Sequence, residues 1–489
     1  MRVTVDSVIT MHEPPAAVAA AVREALTIDN PQHVEASKQL RDTRGIPERL
    51  CYSTQIGWDL VVPRGFGIEL RKICAREGVE MDCDWSGMTR GEAVDLECSP
   101  EITSRAYQVR AVLKMVREKQ GIVVAPTGSG KTVIGALAVG NAGRSALVVV
   151  HTKDLLDQWR ESFARVYGIE AGIVGGGKRD WKPITVATVQ TLHRLGMSEV
   201  MKRAQEFGAV ILDECHHASA DTWFELLSWL PCKYRWGLTA TPTRDDGLTQ
   251  LLWWGIGPLL DTVEHGKLID HGHLAQPRIC AVHTGWQYPA FGEAADRFKE
   301  LESRGLTGWD LKRAQMAKQK AFKAMLDAIT EDEQRNSGIV ELVRREVGDG
   351  HQVLVLSGRV AHCEALSSLL QDAGVDAEVV TGKTAKKARA AKLDALRDGS
   401  LAVACCTSLA DEGLDVPKLD RVVIALPARS KRQATQRMGR TMRPGPDKRP
   451  VVFDLVDDVG VLRGQWASRR SAYRKALGDV DVYTEKWTG

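Results

Sequence analysis

The stretch Gly121-Ile122-Val123-Val124-Ala125-Pro126-Thr127-Gly128-Ser129-Gly130-Lys131-Thr132, running on into Val133-Ile134-Gly135-Ala136-Leu137, decides how the chain is read. An apolar run enters a glycine-rich turn, and a helix-compatible segment leaves it. Backbone N–H groups of such a turn point inward, and the next helix adds its positive end, so a polyphosphate binds there. Thr127, Gly128 and Ser129 line the turn, and Gly130 keeps a side chain out of the way. Lys131 reaches the β- and γ-phosphates as a point charge, while the Thr132 hydroxyl is a ligand for the Mg²⁺ that bridges them. ATP and Mg²⁺ are the expected cofactors. A purely structural glycine-rich turn is the competing reading, and the flanking strand and helix count against it.

Working outward, the chain has 489 residues, 44% hydrophobic and 26% charged, enough for two or three separate cores. Net charge is only +3, so contact with nucleic acid must come from local basic patches. Ten cysteines occur without C-x-x-C spacing, and the Ala-rich run near residue 16 follows Glu13-Pro14-Pro15 and is interrupted by Arg23 and Glu24, unlike a signal peptide. The expected location is the cytoplasm, at the nucleoid or inside a host cell if the chain is viral. Apolar runs fall short of the ~20 residues that span a bilayer, so no membrane role is expected.

Residues 1–100 carry no catalytic pattern and read as an accessory domain for substrate, that is nucleic-acid, recognition, with a helical start at 16–26 and a strand-like piece at 60–63. Cys51, Cys74, Cys83 and Cys98 are loosely spaced and match no metal-ligand pattern, so they read as buried free thiols, with a metal or iron–sulfur site as the lesser alternative. Arg105-Ala106-Tyr107-Gln108 opens an amphipathic helix ahead of the loop. The Gln108 amide suits the adenine edge, and Arg105 or Tyr107 suits its ring face; an ordinary polar helix start is the equal alternative.

After the loop, Ala146–Val150, Ile184–Thr188 and Ala209–Leu212 alternate with helical segments, which predicts a parallel sheet and an α/β fold with functional loops at the carboxyl ends of the strands. The last of these strands ends in Asp213-Glu214-Cys215-His216-His217. Adjacent carboxylates there need a cation, so Asp213 is read as the Mg²⁺ partner and Glu214 as the general base toward the attacking water, a role worth ~10²–10⁴ in rate. His217 is read as a polar link to the next motif. A charged helical stretch follows, in which Lys312, Arg313, Lys318, Lys320 and Lys323 outweigh Asp310; it is a solvated face or a phosphate-contacting arm. Most of the thirteen tryptophans read as core, with Trp253-Trp254 and Trp309 as base-stacking alternatives. A second alternation begins at Gln352 and has no phosphate loop of its own. Within Gln436-Arg437-Met438-Gly439-Arg440-Thr441-Met442-Arg443, residues Gln436, Arg440 and Arg443 fall on one helix face. The tail is basic around Arg469, Arg470, Arg474 and Lys475, and packs on the second domain or touches nucleic acid.

In order and spacing, the loop, Asp213-Glu214-Cys215-His216 and Gly237-Leu238-Thr239-Ala240-Thr241-Pro242 resemble the motifs of superfamily 2 helicases. Arg244-Asp245-Asp246-Gly247 looks like the charged extension of the branch that contains XPB, phage UvsW and restriction-type translocases, where XPB-like members have Arg-Glu-Asp. Glu412-Gly413-Leu414-Asp415 resembles motif five, which implies that Gly413 and Asp415 lie near the ribose and nucleic acid. The resemblance further implies that Arg440 and Arg443 are arginine fingers, worth ~10³–10⁵ in rate, with Gln436 beside them. It spans about residues 105–457. The implied architecture is two tandem RecA-like parallel-sheet domains, at 101–280 with the ATP site and at 339–459, with an N-terminal accessory domain at 1–100, a helical insertion at 281–338 and a basic tail at 460–489. The implied activity is ATP-dependent DNA helicase or translocase, acting on single-stranded, duplex or branched DNA alone or with protein partners of replication, repair or recombination. The alternatives are a duplex translocase subunit of a restriction or defence complex, an RNA helicase, and a nucleic-acid-binding scaffold with a vestigial ATP site.

Overall fold

Every position of the strand Ala146–Val150 is apolar and buried, and such a strand is stable only with both sheet faces covered. That constraint organises two of the sheets seen in a computed structural model, which describes residues 1–215, 220–242, 244, 246–305, 309–407, 416, 418–426, 449–477 and 481–487. The chain packs as two units, one of residues 1–126 and 130–263, the other of 264–489 with 127–129.

The first unit begins with seven short strands: β1 (Arg2–Val5), β2 (Val8–Met11), β3 (Thr27–Asp29), β4 (Arg49–Cys51), β5 (Thr54–Ile56), β6 (Asp59–Pro63) and β7 (Asp82–Asp84). Five form a sheet in the order β5-β6-β2-β1-β7, antiparallel except where β7 joins β1. Helices Ala16–Ala25 and Gly67–Arg76 bury Val18, Val22, Leu70 and Ile73 in the same core, which also takes in Leu251 and Trp254 from the helix Gln250–Gly255. Cys74 is buried and Cys83 half-buried, but Cys51 and Cys98 are exposed, which corrects the expectation of four buried thiols. Cys51 ends a two-stranded ribbon, and Cys98 lies outside any helix or strand.

The main sheet of this unit holds β8 (Gln120–Val124), β9 (Ala146–Val150), β10 (Gly172–Gly175), β11 (Lys178–Asp180), β12 (Ile184–Thr188), β13 (Ala209–Asp213), β14 (Tyr234–Thr239) and β15 (Leu259–Thr262). Its order is β11-β10-β12-β9-β13-β14-β8-β15, parallel throughout except for the hairpin of β10 and β11. Because β14 lies between β8 and β13, three neighbouring strands bring the glycine-rich loop, Asp213-Glu214 and Thr239-Ala240-Thr241 to one edge.

In the second unit β16 (Arg278–His283), β17 (Val353–Leu356), β18 (Ala377–Val380), β19 (Val403–Cys406), β20 (Arg421–Ile424), β21 (Val451–Val456) and β22 (Val482–Lys486) form an all-parallel sheet, β18-β19-β17-β20-β21-β16-β22. This sheet reaches beyond 339–459. β16 begins before the expected insertion and β22 lies in the expected tail, where its half-exposed edge sequence Val-Tyr-Thr-Glu-Lys carries little apolar signal. Helix Glu333–Gly348 also belongs here, burying Ile339, Leu342 and Val343 in the sheet's core. Ahead of it, helices Pro289–Ser303 and Trp309–Glu331 share a smaller core around Phe291, Met325 and Ile329. The tail is helix Gly460–Leu477 followed by β22. Its Arg469 is buried and paired with Asp454 at 2.7 Å, with the Tyr473 hydroxyl donating to the same carboxylate at 2.9 Å, so this arginine is structural. Among the described residues no helix is long and apolar enough to cross a membrane, and no three metal-ligating side chains are grouped.

Candidate active site

The loop leaves β8 and turns into helix Lys131–Ala142 through two left-handed glycines, Gly128 at φ +85° and Gly130 at φ +79°, a conformation that L side chains rarely adopt. A Cβ on Gly130 would also stand 2.7 Å from Nε2 of Gln108. Gln108 therefore lies directly against the loop, and its Oε1 accepts from the Arg105 backbone N at 3.0 Å, which caps helix Ala106–Glu118. The Arg105 guanidinium donates to the Tyr107 hydroxyl at 3.2 Å. Thr132 lies half-buried in the first turn of the loop's helix.

Lys131 Nζ reaches Glu214 Oε1 at 2.7 Å, both side chains mostly buried. Glu214 has φ +46°, unusual for a non-glycine residue, and this turn aims its carboxylate back along the sheet edge, where Oε2 accepts from Ala240 N at 3.4 Å. Ala240 sits in a locked turn: Thr239 Oγ1 donates to Thr241 O at 2.7 Å and accepts from Thr241 N at 3.1 Å. The general-base candidate thus bridges the loop lysine and the Thr-Ala-Thr segment. Asp213 is 3% exposed; its Oδ1 accepts from Glu214 N at 2.9 Å and its Oδ2 from the Trp159 indole at 2.7 Å. Burial, with the Glu214 charge beside it, pushes the Asp213 carboxyl above the usual range, while Lys131 and Trp159 pull it back. Two adjacent carboxylates facing one ammonium leave a surplus of negative charge, and hard oxygen donors in that setting fit a divalent cation. Just beyond, Arg244 donates from Nε to both carboxylate oxygens of Asp246 at 3.0 and 3.2 Å, which holds the Asp246 carboxyl low.

Trp159 is the residue that motif reading passes over. Its ring lies on Gly135 of the loop's helix, where a Cβ would meet the indole at 2.4 Å. A glycine inside a helix is costly without such a reason, and that was the available signal. Of the other sequence candidates, Trp254 is core and Trp309 is 84% exposed. His216, His217, Asp245, Gly413, Asp415, Gln436, Arg440 and Arg443 lie outside the described residues.

Two family models match the chain: type III restriction enzyme, res subunit, over residues 101–244, and helicase conserved C-terminal domain over 334–445. The DNA 3′–5′ translocase XPB2 of Sulfurisphaera tokodaii is 29% identical over 372 residues, 73% of this chain and 82% of that protein. A Rad25-named protein of Haloarcula marismortui is 28% identical over 371 residues, 74% of this chain, and the chain spans about half of that relative, 54%. Among solved structures, a fragment described as the HsdR subunit of a type I restriction enzyme from Vibrio vulnificus superposes with a TM-score of 0.57 at 18% identity, covering 86% of this chain and 73% of that one. This last likeness concerns the fold.

Proposed function

The chain belongs to the superfamily 2 helicases, in the branch of XPB-like and restriction-type motors, and on that premise we propose that it is a DNA helicase or translocase that couples Mg-ATP hydrolysis to movement along DNA. The observation that carries the reading is Glu214, held between Lys131 at 2.7 Å and the Ala240 backbone at 3.4 Å. Polyphosphate entering the loop meets the N–H groups of residues 127–132 and draws Lys131 away from Glu214. The released carboxylate is then free to orient and deprotonate water, and its hold on Ala240 changes at the same moment, which links hydrolysis to the Thr239-Ala240-Thr241 turn. Thr132 and Asp213 would hold a Mg²⁺ ion, which supplies positive charge to the phosphate oxygens. Gln108 and Arg105 are assigned to the adenine. Gln436, Arg440 and Arg443 are assigned to the γ-phosphate, and Gly413 and Asp415 to the ribose and DNA side, by family resemblance alone. The domain division given above, 1–100, 101–280, 281–338, 339–459 and 460–489, is proposed with the strands β16 and β22 reassigned to the second sheet. The proposed setting is the cytoplasm, with DNA as partner.

The similarity to restriction-type subunits favours one second reading, a duplex translocase that does not separate strands. The test is ATPase rate with single-stranded, duplex, forked and RNA stimulants, beside a strand-separation assay on the same substrates. DNA stimulation with separation is the expected result. Duplex stimulation without separation selects the second reading, and preference for RNA or no turnover overturns both.

A further inference from the structure

At the opposite end of β8 from the phosphate loop, five residues or about 16 Å away, a cleft of about 620 Å³ opens between the N-terminal sheet and the amino-end edge of the main sheet. Its floor is apolar, formed in part by Val3, Ile9 and Leu70, and its rim is cationic: Arg71, Arg90, Lys119 and Lys233. None of these four makes an ion pair with a described residue. The carboxylate on the rim, Glu118, is held by Arg117 at 2.7 Å. Trp85, 47% exposed, also lines the cleft. The cations are close enough to feel one another: burial lowers the Lys233 ammonium from its usual range, and Arg90, Lys119 and Arg144 push it further the same way. Unneutralised positive charge gathered around an apolar floor, in a chain whose net charge is only +3, calls for an anion with a flat apolar part.

We propose that this cleft is a second DNA-binding site, taking a stretch of single strand with its phosphates on Arg71, Arg90, Lys119 and Lys233 and a base against Trp85. The pairing of cations with an exposed aromatic is what sequence-independent single-strand binding uses. The proposal rests on the reading of the chain as a DNA motor. It places a grip on the far edge of the first sheet, where the strand would be held while the nucleotide edge works.

Lys119 supplies an unusual test, because it ends its helix at φ +66°. Glycine there removes the charge and also relieves the backbone, so Lys119→Gly should unfold no earlier than wild type. The probe is a fluorescein-labelled oligothymidylate bound to the full chain without nucleotide, followed by anisotropy across a salt series. Lys119→Gly, Trp85→Ala and the double variant Arg71→Ala/Arg90→Ala are each expected to weaken binding, the double variant roughly tenfold. The slope of log affinity on log salt should shrink by about 0.7 for each phosphate left without its cation and stay unchanged in Trp85→Ala. Affinity and slope equal to wild type in all three variants would overturn the proposal, as would displacement by thymidine monophosphate as effective as by unlabelled oligothymidylate. If wild type itself neither binds DNA nor is stimulated by it, the motor reading fails; if it binds and the variants bind equally, only the cleft fails.

Discussion

Glu214 accepts a left-handed backbone, a conformation that costs an L residue roughly 1–2 kcal/mol, to place its carboxylate between a lysine and a backbone N–H. Strain retained at such a point makes the charge, and not the bulk, of this side chain the quantity to remove. Glu214→Gln is isosteric and should still bind ATP while hydrolysis falls by about 10²–10⁴, read by filter binding and single-turnover phosphate release. Lys131→Ala should lose both. Normal turnover in either variant would remove that residue from its assigned role. Trp159 belongs in the same argument, since its indole donates to a buried carboxylate, a bond worth about 1.5–3 kcal/mol. Trp159→Phe, and Gly135→Ala through the displaced ring, should each lower kcat roughly tenfold or more while leaving the ATP Kd near wild type; unchanged kcat in both would make Trp159 a packing residue only. Lys131, Asp213 and Glu214 could be singled out in the sequence because each sits in a short run whose chemistry is local, and the structure brings them together. Trp159 could not be singled out, because its partner is 54 positions away and only the mid-helix glycine hinted at it.

Elements of the second sheet show the same division between local and distant information. β17 and β19 announce themselves as apolar runs, whereas β22 is a half-exposed edge strand paired with β16, and β16 is a short apolar run set between β21 and β22. Helix Val360–Asp372 carries a buried histidine that no pattern revealed. His362 Nδ1 faces the Ser357 hydroxyl at 2.9 Å and Nε2 faces Asn336 Oδ1 at 3.0 Å, the arrangement of a neutral ring that donates from Nε2. Burial, with Arg335 and Arg359 nearby, pulls its pKa down to about 3 from 6.5. The unfolded chain therefore takes up a proton on this ring below pH 6.5 that the folded chain refuses until about pH 3. Stability is full above 6.5 and is lost as pH falls through that window, by about 1.4 kcal/mol per pH unit from this ring alone. Thermal unfolding of the second unit should accordingly move to lower temperature between pH 6 and pH 4.5, and His362→Phe, though less stable at pH 8, should show a shallower slope. An identical slope in that variant would assign the acid sensitivity to other groups.

At the scale of the whole molecule, the N-terminal sheet and the main sheet of the first unit are joined by two guanidinium groups that have amide carbonyl oxygens, nearly all of the backbone, and not carboxylates for partners. Arg64 donates to Asp6 O at 3.2 Å, Cys232 O at 2.6 Å, Lys233 O at 2.7 Å and Gln120 Oε1 at 2.8 Å, and burial brings its pKa down to about 10. Arg235 donates to Ser7, Leu227, Leu230 and Gly255 carbonyls, all within 3.1 Å. Gly65 completes the joint: a Cβ there would lie 2.2 Å from the Trp253 carbonyl oxygen. Sequence reading could separate residues 1–100 as an accessory segment but not foresee this fusion, since a carbonyl acceptor leaves no mark in a sequence. The acceptors do not titrate and the Arg64 guanidinium, at about 10, keeps its charge well below that value, so the Arg64 part of the joint should be indifferent to pH between 5 and 8. Arg64→Met removes the donor from one buried acceptor, the Cys232 carbonyl, and from three part-buried ones, a loss of about 1–3 kcal/mol. Hydrogen exchange in that variant should speed up together in β1, β2, β6 and the start of β14, while amides of β17, β19 and β20 keep their wild-type rates. Arg64→Lys keeps the charge but not the fork, and should recover only part of the protection. Unchanged exchange in Arg64→Met would mean that the apolar cluster around Phe66, Leu251 and Trp254 holds the two sheets together without this arginine.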